Sequence, residues 1–574
     1  MKQKSSYDIK NNLMLALLSG IILGFSFPPF QFGIIAIIGF VPVFILFESI
    51  DTYKKAFRYS YFAFFVFNLV ACYWIGGWGS EVDIFLMISG IAVTFFHPLF
   101  FTIPFLLFFA VKKNLGKNYA FLSFPFIWVA FEYFHSITEF SFPWLIIGNS
   151  QSYSIYDIQY ISYTGVYGIS FWIISLNILI YLVYSKFINS EPSFTTLKAI
   201  LMIAAIVLFF YLPALVSRSI LMDYESGKNK IKVAIIQPNI NPWEKWKKSK
   251  EFEQVLDLLE MSKKIDKEQK PDLIIWPETA IPFYIRLSSR ADEMATIRRI
   301  VDSSKLNIIT GAADIKFYNN QEPVPASSKQ SKQTGVAYDS YNSIIHFEPN
   351  TEKYQIYHKM KLVPFSERIP YLDAYPFLVD FLEWGVGISN WGIGKDSIIF
   401  RLPSKKLNAG GEVMETKIDS ADRMQKDISF WAMICYESIF PGFVSEFAKK
   451  GAQFFIIVTN DSWFGNSSGP YQHNQFAVLR AIENRRSIAR CANGGVSSII
   501  DPTGRMVSKT KFMTKDILVG DVEINEKITF YSKHGDIFSQ ICLGISILFI
   551  ISVLWVKFFD IRNKFLRYKN EQNN

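Results

Sequence analysis

Three side chains with complementary chemistry stand at the ends of apolar segments that are far apart in this 574-residue chain. Cys435 ends the run ISFWAMIC, Glu278 ends LIIWPE, and Lys359 lies in YHKMKLVPF. A thiol is a strong nucleophile only as a thiolate. A nearby cation stabilises the thiolate, and a carboxylate base can take the proton of the thiol. We therefore interpret the three as nucleophile, cation and base of a covalent catalyst. The lysine and a backbone N–H beside the cysteine would hold a developing oxyanion.

Each of these residues also has a simpler explanation. A cysteine at the end of a buried strand often packs as a small hydrophobe, and the position of Cys435 alone favours that explanation. Glu278 could cap the stretch after Pro277, and Lys359 could be a solvated charge. The catalytic hypothesis is favoured because all three groups follow predicted strands in one part of the chain.

The segment from about 220 to 535 alternates strand and helix patterns, which predicts an α/β layered domain around a central sheet. Active residues in such folds lie beyond strand ends. YNSIIHF and EKYQIYHKMKLVPF are predicted to pair as a hairpin. Other predicted strands are KIKVAIIQPNI, PDLIIW, NIITGAAD, FWAMICYE, AQFFIIVTND and GVSSIIDPTG, with helices at 247–265, 290–304 and 471–490 and polar surface excursions at 316–340 and 403–426.

The composition of the whole chain indicates membrane spans in addition to this polar segment. Half of all residues are hydrophobic, 55 are Phe, and the mean hydropathy is +0.19. A bilayer-spanning helix needs about 20 apolar residues. The segment TEFSFPWLIIGNSQSYS is too irregular for a lipid-exposed helix and is predicted to be protected by protein. Spans are predicted at 12–28, 33–49, 60–78, 84–111, 118–135, 161–184, 198–217 and 537–557.

These patterns predict a transmembrane bundle of about seven helices at 1–219, a catalytic domain at 220–535, and a last helix with a tail at 536–574. The net charge is +9, with basic clusters at 54–58, at 112–117 and in the tail. Such clusters are typical of short cytoplasmic loops rather than of a nucleic-acid surface. If the chain lies in the inner membrane of a bacterium with its N-terminus in the cytoplasm, the predicted spans place the catalytic domain in the periplasm. No CxxC or Cys/His pattern is present, so we expect neither a metal nor another cofactor.

The order of the motifs WPE, HKxxLVPFSE, ICYE and TNDSWFG resembles the nitrilase (carbon–nitrogen hydrolase) superfamily. Several helices before that part, one helix after it and the segment FPWLIIGNSQ resemble its apolipoprotein N-acyltransferase family. The resemblance implies an αββα sandwich joined to a multi-span helical membrane domain. It also implies that Glu278 is the general base, Lys359 the oxyanion-stabilising lysine and Cys435 the nucleophile.

The same resemblance implies supporting roles for residues around these three. Glu367 would support the lysine and the thiolate, and Asn342 would lie near the site. Residues expected to shape or cover the pocket are Tyr436 and Glu437 after the cysteine, Trp463 in TNDSWFG, and Trp246 on a mobile arm, for which Trp243 is the competing assignment.

Two positions depart from the pattern of the family. Ser366 stands where the family often has a glycine before its second glutamate, which matters only if φ is positive there. His135 stands three residues after Glu132, where the family often has an arginine.

The resemblance implies a two-step acyl transfer by a monomeric enzyme. A phospholipid would acylate Cys435, and the α-amino group of the diacylglyceryl-cysteine of an apolipoprotein would then accept the acyl chain. One alternative is a membrane-tethered amidase or nitrile hydrolase that acts on a small periplasmic substrate. Another is a catalytically inactive lipid-handling protein, which the presence of Glu278, Lys359 and Cys435 disfavours.

Overall fold

The computed structural model describes residues 2–77, 84–188, 195–227, 229–247, 250–319, 322–331, 334–351, 354–375, 390–402 and 427–572. The chain forms two compact units. The first comprises Met1–Tyr224, Asn466–Gln475 and His534–Asn574, and the second comprises Glu225–Gly465 and Phe476–Lys533. The polar excursion predicted at 403–426 lies outside the described residues.

Helices account for most of the first unit and for the outer layers of the second. The early helices are α1 (Lys2–Phe25), α2 (Ala36–Gly39), α3 (Val41–Ser49), α4 (Tyr53–Cys72), α5 (Ile84–Leu115), α6 (Lys117–Ile137), α7 (Ile161–Thr164), α8 (Val166–Ile188) and α9 (Thr196–Met222). The later ones are α10 (Glu251–Gln269), α11 (Ala291–Ser304), α12 (Pro441–Lys449), α13 (Ser468–Asn484), α14 (Phe530–His534) and α15 (Ile537–Gln572).

Six helical segments in the described part of the chain are long and apolar enough to cross a membrane. The first two predicted spans correspond to shorter apolar helices, Lys10–Phe25 and Gly33–Ser49. The sixth predicted span was placed too early, because Gly165 adopts φ 65° and separates α7 from α8. The six segments are Tyr53–Gly76, Leu86–Leu115, Lys117–Ile137, Val166–Phe187, Thr196–Met222 and Ile537–Tyr568.

The central part of the irregular segment that follows α6, residues 143–152, is buried, as the sequence predicts. It contains the short 3₁₀ helices Pro143–Leu145 and Ile147–Gln151. Buried side chains satisfy its backbone: Glu132 accepts from the N–H of Ile147 at 2.8 Å, and Ser170 Oγ accepts from that of Gly148 at 2.9 Å. Non-helical backbone is tolerated in an apolar setting only when protein groups supply such partners. His135, one of the two departures, is buried in the same unit and its Nε2 lies 3.2 Å from Nε2 of His97.

The second unit contains two sheets. One has the order β14-β1-β2-β4-β6-β5, with β3 paired to β4 and β7 to β6; the other has the order β13-β12-β11-β10-β9-β8. The strands are β1 (Lys230–Gln237), β2 (Leu273–Ile275), β3 (Ile281–Tyr284), β4 (Ile308–Phe317), β5 (Lys329–Gln330), β6 (Ala337–Phe347), β7 (Gln355–His358), β8 (Phe400–Leu402), β9 (Ile428–Ile434), β10 (Phe454–Thr459), β11 (Ile488–Ala492), β12 (Ser498–Ile500), β13 (Met506–Lys509) and β14 (Asp516–Glu523).

The sheets pack face to face. Cys491 on β11 directs its thiol to the carbonyls of Ile236 and Ile275, at 3.3 and 3.4 Å, at the ends of β1 and β2. Helices α10 and α11 bury Leu258, Ile297 and their apolar neighbours on the outer face of the first sheet. On the second sheet, α12 stacks Phe447 on Trp431. The αββα sandwich predicted from the sequence is confirmed.

Several element predictions were wrong in detail. The helix predicted at 471–490 ends at Asn484, and Ile488–Ala492 is instead the fully buried strand β11. The predicted excursion at 316–340 overlaps a strand at each end, because β4 runs to Phe317 and β6 begins at Ala337. The predicted hairpin is confirmed, since β6 and β7 pair antiparallel with Ser343 opposite His358.

Candidate active site

Strand ends bring the three predicted catalytic side chains together. Glu278 lies in the turn after β2, Lys359 follows β7 directly, and Cys435 follows β9 directly. Lys359 Nζ lies 3.5 Å from Glu278 Oε1. The charges of both residues act on the thiol of Cys435. The three groups therefore share one buried site, although they are far apart in the sequence.

Cys435 was predicted to be part of a strand, but it lies one residue beyond the end of β9. Strand β9 ends at Ile434, and Cys435 starts a 3₁₀ helix with φ 49°. This left-handed conformation is uncommon for a residue with a side chain and costs on the order of 1–3 kcal/mol. Ser438 Oγ donates to the carbonyl of Cys435 at 2.8 Å. Because the backbone turns sharply here, the thiol stands at the end of the strand instead of packing within the sheet.

Glu437 fixes this turn to the loop that carries Lys359. Its Oε2 accepts from the N–H of Ile434 at 2.8 Å, and its Oε1 accepts from Tyr357 Oη at 2.6 Å and from Met360 N–H at 2.7 Å. Burial raises the pKa of Glu437 to about 7, although these hydrogen bonds oppose that shift. The carboxylate is fully buried and ties the nucleophile turn to the lysine loop. Tyr436 is also buried and packs edge-to-face on Phe440.

We expect Glu437→Gln to weaken both the fold and the site. A glutamine amide group has a donor on one side, so either the Ile434 N–H or the Tyr357 and Met360 donors would lose an acceptor. A buried donor without a partner costs about 1–3 kcal/mol. Thermal unfolding should show that loss, and iodoacetamide labelling of Cys435 should change in rate. Glu446→Gln, on the exposed face of α12, is the matched control. Unchanged stability and labelling in Glu437→Gln would contradict this role.

Lys359 is held by two carboxylates. Its Nζ donates to Glu367 Oε1 at 2.8 Å, and Asn342 Nδ2 donates to Glu278 Oε1 at 2.8 Å and contacts Glu367 Oε1 at 3.3 Å. Burial alone would lower the pKa of Lys359, but Glu367 and Glu278 outweigh it, so the pKa is raised. Lys359 is therefore a fixed ammonium ion. Glu367 also accepts from the N–H of Val363 at 2.9 Å, which closes the lysine loop.

The charges around Cys435 favour the thiol in the resting site. Burial raises the pKa of Cys435, the carboxylate of Glu278 raises it further, and the ammonium of Lys359 opposes both. A thiol held in this way needs a base at the moment of attack. Glu278 supplies a carboxylate, and Lys359 supplies the positive charge that a thiolate or an oxyanion requires.

The turn that carries Glu278 is tightly constrained. Thr279 adopts φ 45°, which is a strained conformation for a β-branched residue. A Cβ on Gly311 of β4 would lie 2.6 Å from the Cα of Glu278 and 2.3 Å from the N of Thr279. Only a glycine therefore allows this strand to approach the turn so closely. The N–H of Gly311 donates to the carbonyl of Pro277 at 3.2 Å.

The tryptophans differ in their surroundings. Trp243 packs edge-to-face on Trp463, with ring centroids 4.9 Å apart. Trp246 has 40% of its surface exposed. The structure thus pairs Trp243 with the loop after β10 and leaves Trp246 facing outward on the same arm. Ser366, which stands where the family often has a glycine, does not adopt a positive φ. The positive φ in its loop is that of Phe365 (64°), so the serine is not strained.

The sequence did not indicate several polar residues that lie beside Cys435. Thr459, the last residue of β10, hydrogen-bonds Cys435, and its hydroxyl also lies 2.9 Å from Asp461 Oδ1. Arg490 is fully buried and donates to Asp461 Oδ2 at 2.5 Å. The signal for Thr459 is the parallel register, which pairs Val458 with Ile434 and so places Thr459 next to Cys435. Lys245, which lies between Trp243 and Trp246 in the sequence and is buried, was also missed.

This fold has a counterpart among known protein families. The family model described as carbon-nitrogen hydrolase matches residues 232–528, slightly more than half of the chain. Among solved structures, Nit3 of Saccharomyces cerevisiae, from branch 10 of the nitrilase superfamily, aligns with a TM-score of 0.34 and 17% identity over 52% of this chain and 92% of that protein. The family match places the second unit in the carbon–nitrogen hydrolase class.

The N-terminal part of the chain, which holds most of the long apolar helices, identifies a family within this class. A family model for the apolipoprotein N-acyltransferase N-terminal domain matches residues 19–179. The apolipoprotein N-acyltransferase of Chlorobaculum tepidum is 35% identical over 538 residues, 93% of this chain and 94% of that protein. The corresponding protein of Geobacter metallireducens is 28% identical, with 93% and 94% covered. The chain belongs to the apolipoprotein N-acyltransferase family.

Proposed function

We propose that this chain transfers a fatty acyl group from a membrane phospholipid to the N-terminus of apolipoproteins, through a thioester on Cys435. The acceptor is the α-amino group of the diacylglyceryl-cysteine, so the product carries three acyl chains. The observation that carries the proposal is the grouping of Glu278, Lys359 and Cys435 in one buried site of a chain that matches this family in both of its parts.

The first half-reaction acylates the enzyme. Glu278 takes the proton of Cys435 as Sγ attacks the carbonyl carbon of the phospholipid ester. Lys359 and a backbone N–H beside the cysteine hold the oxyanion. The tetrahedral intermediate collapses, the ester C–O bond breaks, and the proton on Glu278 passes to the departing oxygen of the lysophospholipid. A thioester remains on Cys435.

The second half-reaction returns the enzyme to its starting state. The unprotonated α-amine of the acceptor attacks the thioester carbonyl, and Glu278 takes one proton from its nitrogen. The C–S bond breaks, an amide forms, and the proton returns to the sulfur of Cys435. The ammonium of Lys359 stabilises the departing thiolate. The two steps share one site, so the kinetics are ping-pong.

Supporting side chains orient these groups and limit the access of water. Asn342 and Glu367 hold Glu278 and Lys359 in register. Tyr436 and Glu437 follow Cys435 in its turn and are buried beneath it. The aromatic side chains of Trp243, Trp246 and Trp463 lie on the arm and loop, where they would exclude water from the thioester. Exclusion matters because water would convert transfer into hydrolysis.

The proposed setting is the inner membrane of a bacterium, with the domain at 220–535 in the periplasm. The lysine and arginine clusters of the short loops then face the cytoplasm. The bundle at 1–219 and the helix at 536–574 anchor a catalyst whose substrates are both lipids. A membrane-tethered amidase is not favoured, because the curated relatives match across nine-tenths of the chain, membrane part included.

The proposal is tested with purified protein, phospholipid carrying a labelled acyl chain, and synthetic diacylglyceryl-cysteine peptides. Without acceptor, the label should accumulate on the protein. A peptide with a free α-amine should then remove it and become labelled, whereas the N-acetylated peptide should not. Release of free labelled fatty acid as the main product would contradict acyl transfer and favour a hydrolase.

A further inference from the structure

Lys245 is a buried ammonium on the arm that carries the two tryptophans. Only 1% of its surface is exposed. Its Nζ donates to the carbonyl of Glu278 at 2.7 Å and to Thr279 Oγ1 at 2.7 Å. Both partners belong to the turn that presents the Glu278 carboxylate. The lysine thus contacts the backbone of the predicted base rather than the exposed surface of the domain.

That turn needs support from outside. Thr279 is held at φ 45°, and Gly311 lets β4 approach so closely that the turn has no room to shift towards the strand. Lys245 donates to the carbonyl of Glu278 and to the hydroxyl of Thr279, both of which belong to this turn. A hydrogen bond from a charged donor is roughly twice as strong as a neutral one. The ammonium is therefore well suited to keep this turn in its strained form.

Lys245 also joins the turn to the arm. Trp243, two residues before it, packs on Trp463, and Trp246, directly after it, is partly exposed. The arm is fixed at its start as well, because Asn493 Nδ2 donates to the carbonyl of Ile240 at 2.6 Å. The position of the tryptophans and the position of the base are thus connected through one side chain.

The charge of Lys245 acts on the same site. Burial lowers the pKa of Lys245 to about 8, and the attraction of Glu278 opposes this shift. Glu278 faces Lys245 from the turn after β2, and Lys359 lies beyond it, 3.5 Å from the carboxylate. Glu244, next to Lys245 on the arm, pairs with the exposed Lys247 and Lys250. A positive Lys245 therefore favours the ionised carboxylate that a base requires.

We propose that Lys245 is a positioning residue of the acylation step, which holds the Glu278–Thr279 turn and keeps the Glu278 carboxylate oriented towards Cys435. This inference rests on the proposed function, in which Glu278 is the base. Lys245 touches neither substrate nor reacting atoms and acts through Glu278. The tryptophan arm and the base are coupled because both depend on its ammonium.

The test measures Cys435 acylation from labelled phospholipid, without acceptor, in full-length protein. Lys245→Met keeps the length of the side chain and removes its charge and donors. We expect it to acylate about 10²-fold more slowly at pH 7, since small displacements of catalytic groups cost that much. Lys247→Met, which removes an exposed charge two residues away, should acylate at the wild-type rate. Equal rates for Lys245→Met and wild type would overturn the proposal.

A pH profile separates positioning by charge from simple packing. As the pH rises through the lowered pKa of Lys245, about 8, the amine keeps its N–H donors but loses its charge, so the wild-type rate should decline towards pH 9.5. The variant has no such ammonium, and its rate should show no fall with a midpoint near pH 8. The wild-type measurement needs no variant and remains decisive if Lys245→Met does not fold. A wild-type rate that does not decline across this range would contradict the role of the charge.

A parallel measurement on Glu278→Gln distinguishes the two proposals. If Glu278→Gln acylates normally, the proposed base and with it the proposed mechanism are wrong. If Glu278→Gln is inactive while Lys245→Met is normal, only the inference about Lys245 fails.

Discussion

Cys435→Ala is expected to abolish acyl transfer entirely, because alanine offers no atom on which the thioester can form. Neither labelled protein nor labelled peptide should appear when the variant is incubated with labelled phospholipid and a diacylglyceryl-cysteine peptide. Cys435→Ser retains a nucleophilic atom, but a hydroxyl is far less acidic than a thiol. We expect turnover at least about 10³-fold below wild type for the serine variant, in line with the large losses seen when catalytic nucleophiles are replaced.

The matched control for these variants is Cys491→Ala. Cys491 is as deeply buried as any residue of β11, and its thiol contacts only backbone carbonyls among the hydrogen bonds of the described residues. It should retain the wild-type rate of transfer with a small loss of stability from the cavity. Transfer by Cys435→Ala at a measurable fraction of the wild-type rate would mean that another residue carries the acyl group, and the proposed intermediate would be wrong.

Glu278→Gln is expected to produce the second largest loss. Glutamine has nearly the same shape, and its oxygen can still accept from Asn342 Nδ2 and face Lys359 Nζ, at the present distances of 2.8 and 3.5 Å. It cannot take a proton from Cys435. Because a positioned base contributes roughly 10²–10⁴-fold, we expect Cys435 acylation to slow by about 10³-fold in single-turnover measurements.

Two comparisons make the Glu278 result specific. Glu260→Gln, on the exposed face of α10, should acylate normally. Thermal unfolding of Glu278→Gln should stay close to wild type, because the hydrogen-bonding shape of the site is preserved. A Glu278→Gln enzyme that acylates at the wild-type rate would show that the thiol loses its proton by another route.

The grouping of Glu278, Lys359 and Cys435 could be predicted because its signals are local. Glu278, Lys359 and Cys435 each follow an apolar run, and strand ends of an α/β sheet converge. The motif order supplied the family. The hairpin of β6 and β7 was also predictable, since its strands are close in the sequence.

Other features depend on contacts between distant segments. Strand β14 pairs with β1, although almost the whole sequence of the second unit separates them, and no local pattern predicts this pairing. Arg490 resembles a charge on an exposed helix, yet it is fully buried because Asp461 neutralises it, so strand β11 was taken for a helix. In the sequence Lys245 resembles its solvated neighbours Lys247 and Lys250, because its partner, the turn of Glu278, is distant in the chain.

The backbone conformation at Cys435 could not be predicted from the sequence either. A buried apolar run predicts a strand, but it does not reveal that the strand ends at Ile434 and that Cys435 adopts a positive φ. Nothing in the residue types of CYE requires this turn. It results from the hydrogen bonds that Glu437 accepts from the neighbouring Ile434 and from Tyr357 and Met360, which lie 80 and 77 residues earlier in the chain.

The central claim is that Cys435 carries the acyl chain between donor and acceptor. The most direct measurement is mass spectrometry of the peptide that contains Cys435, after the purified protein has been incubated with phospholipid alone. The account predicts that this peptide gains the mass of one fatty acid less one water, that hydroxylamine removes the gain, and that a diacylglyceryl-cysteine peptide with a free amine removes it with formation of the amide. An unmodified Cys435 peptide in protein that actively transfers acyl chains would contradict the account.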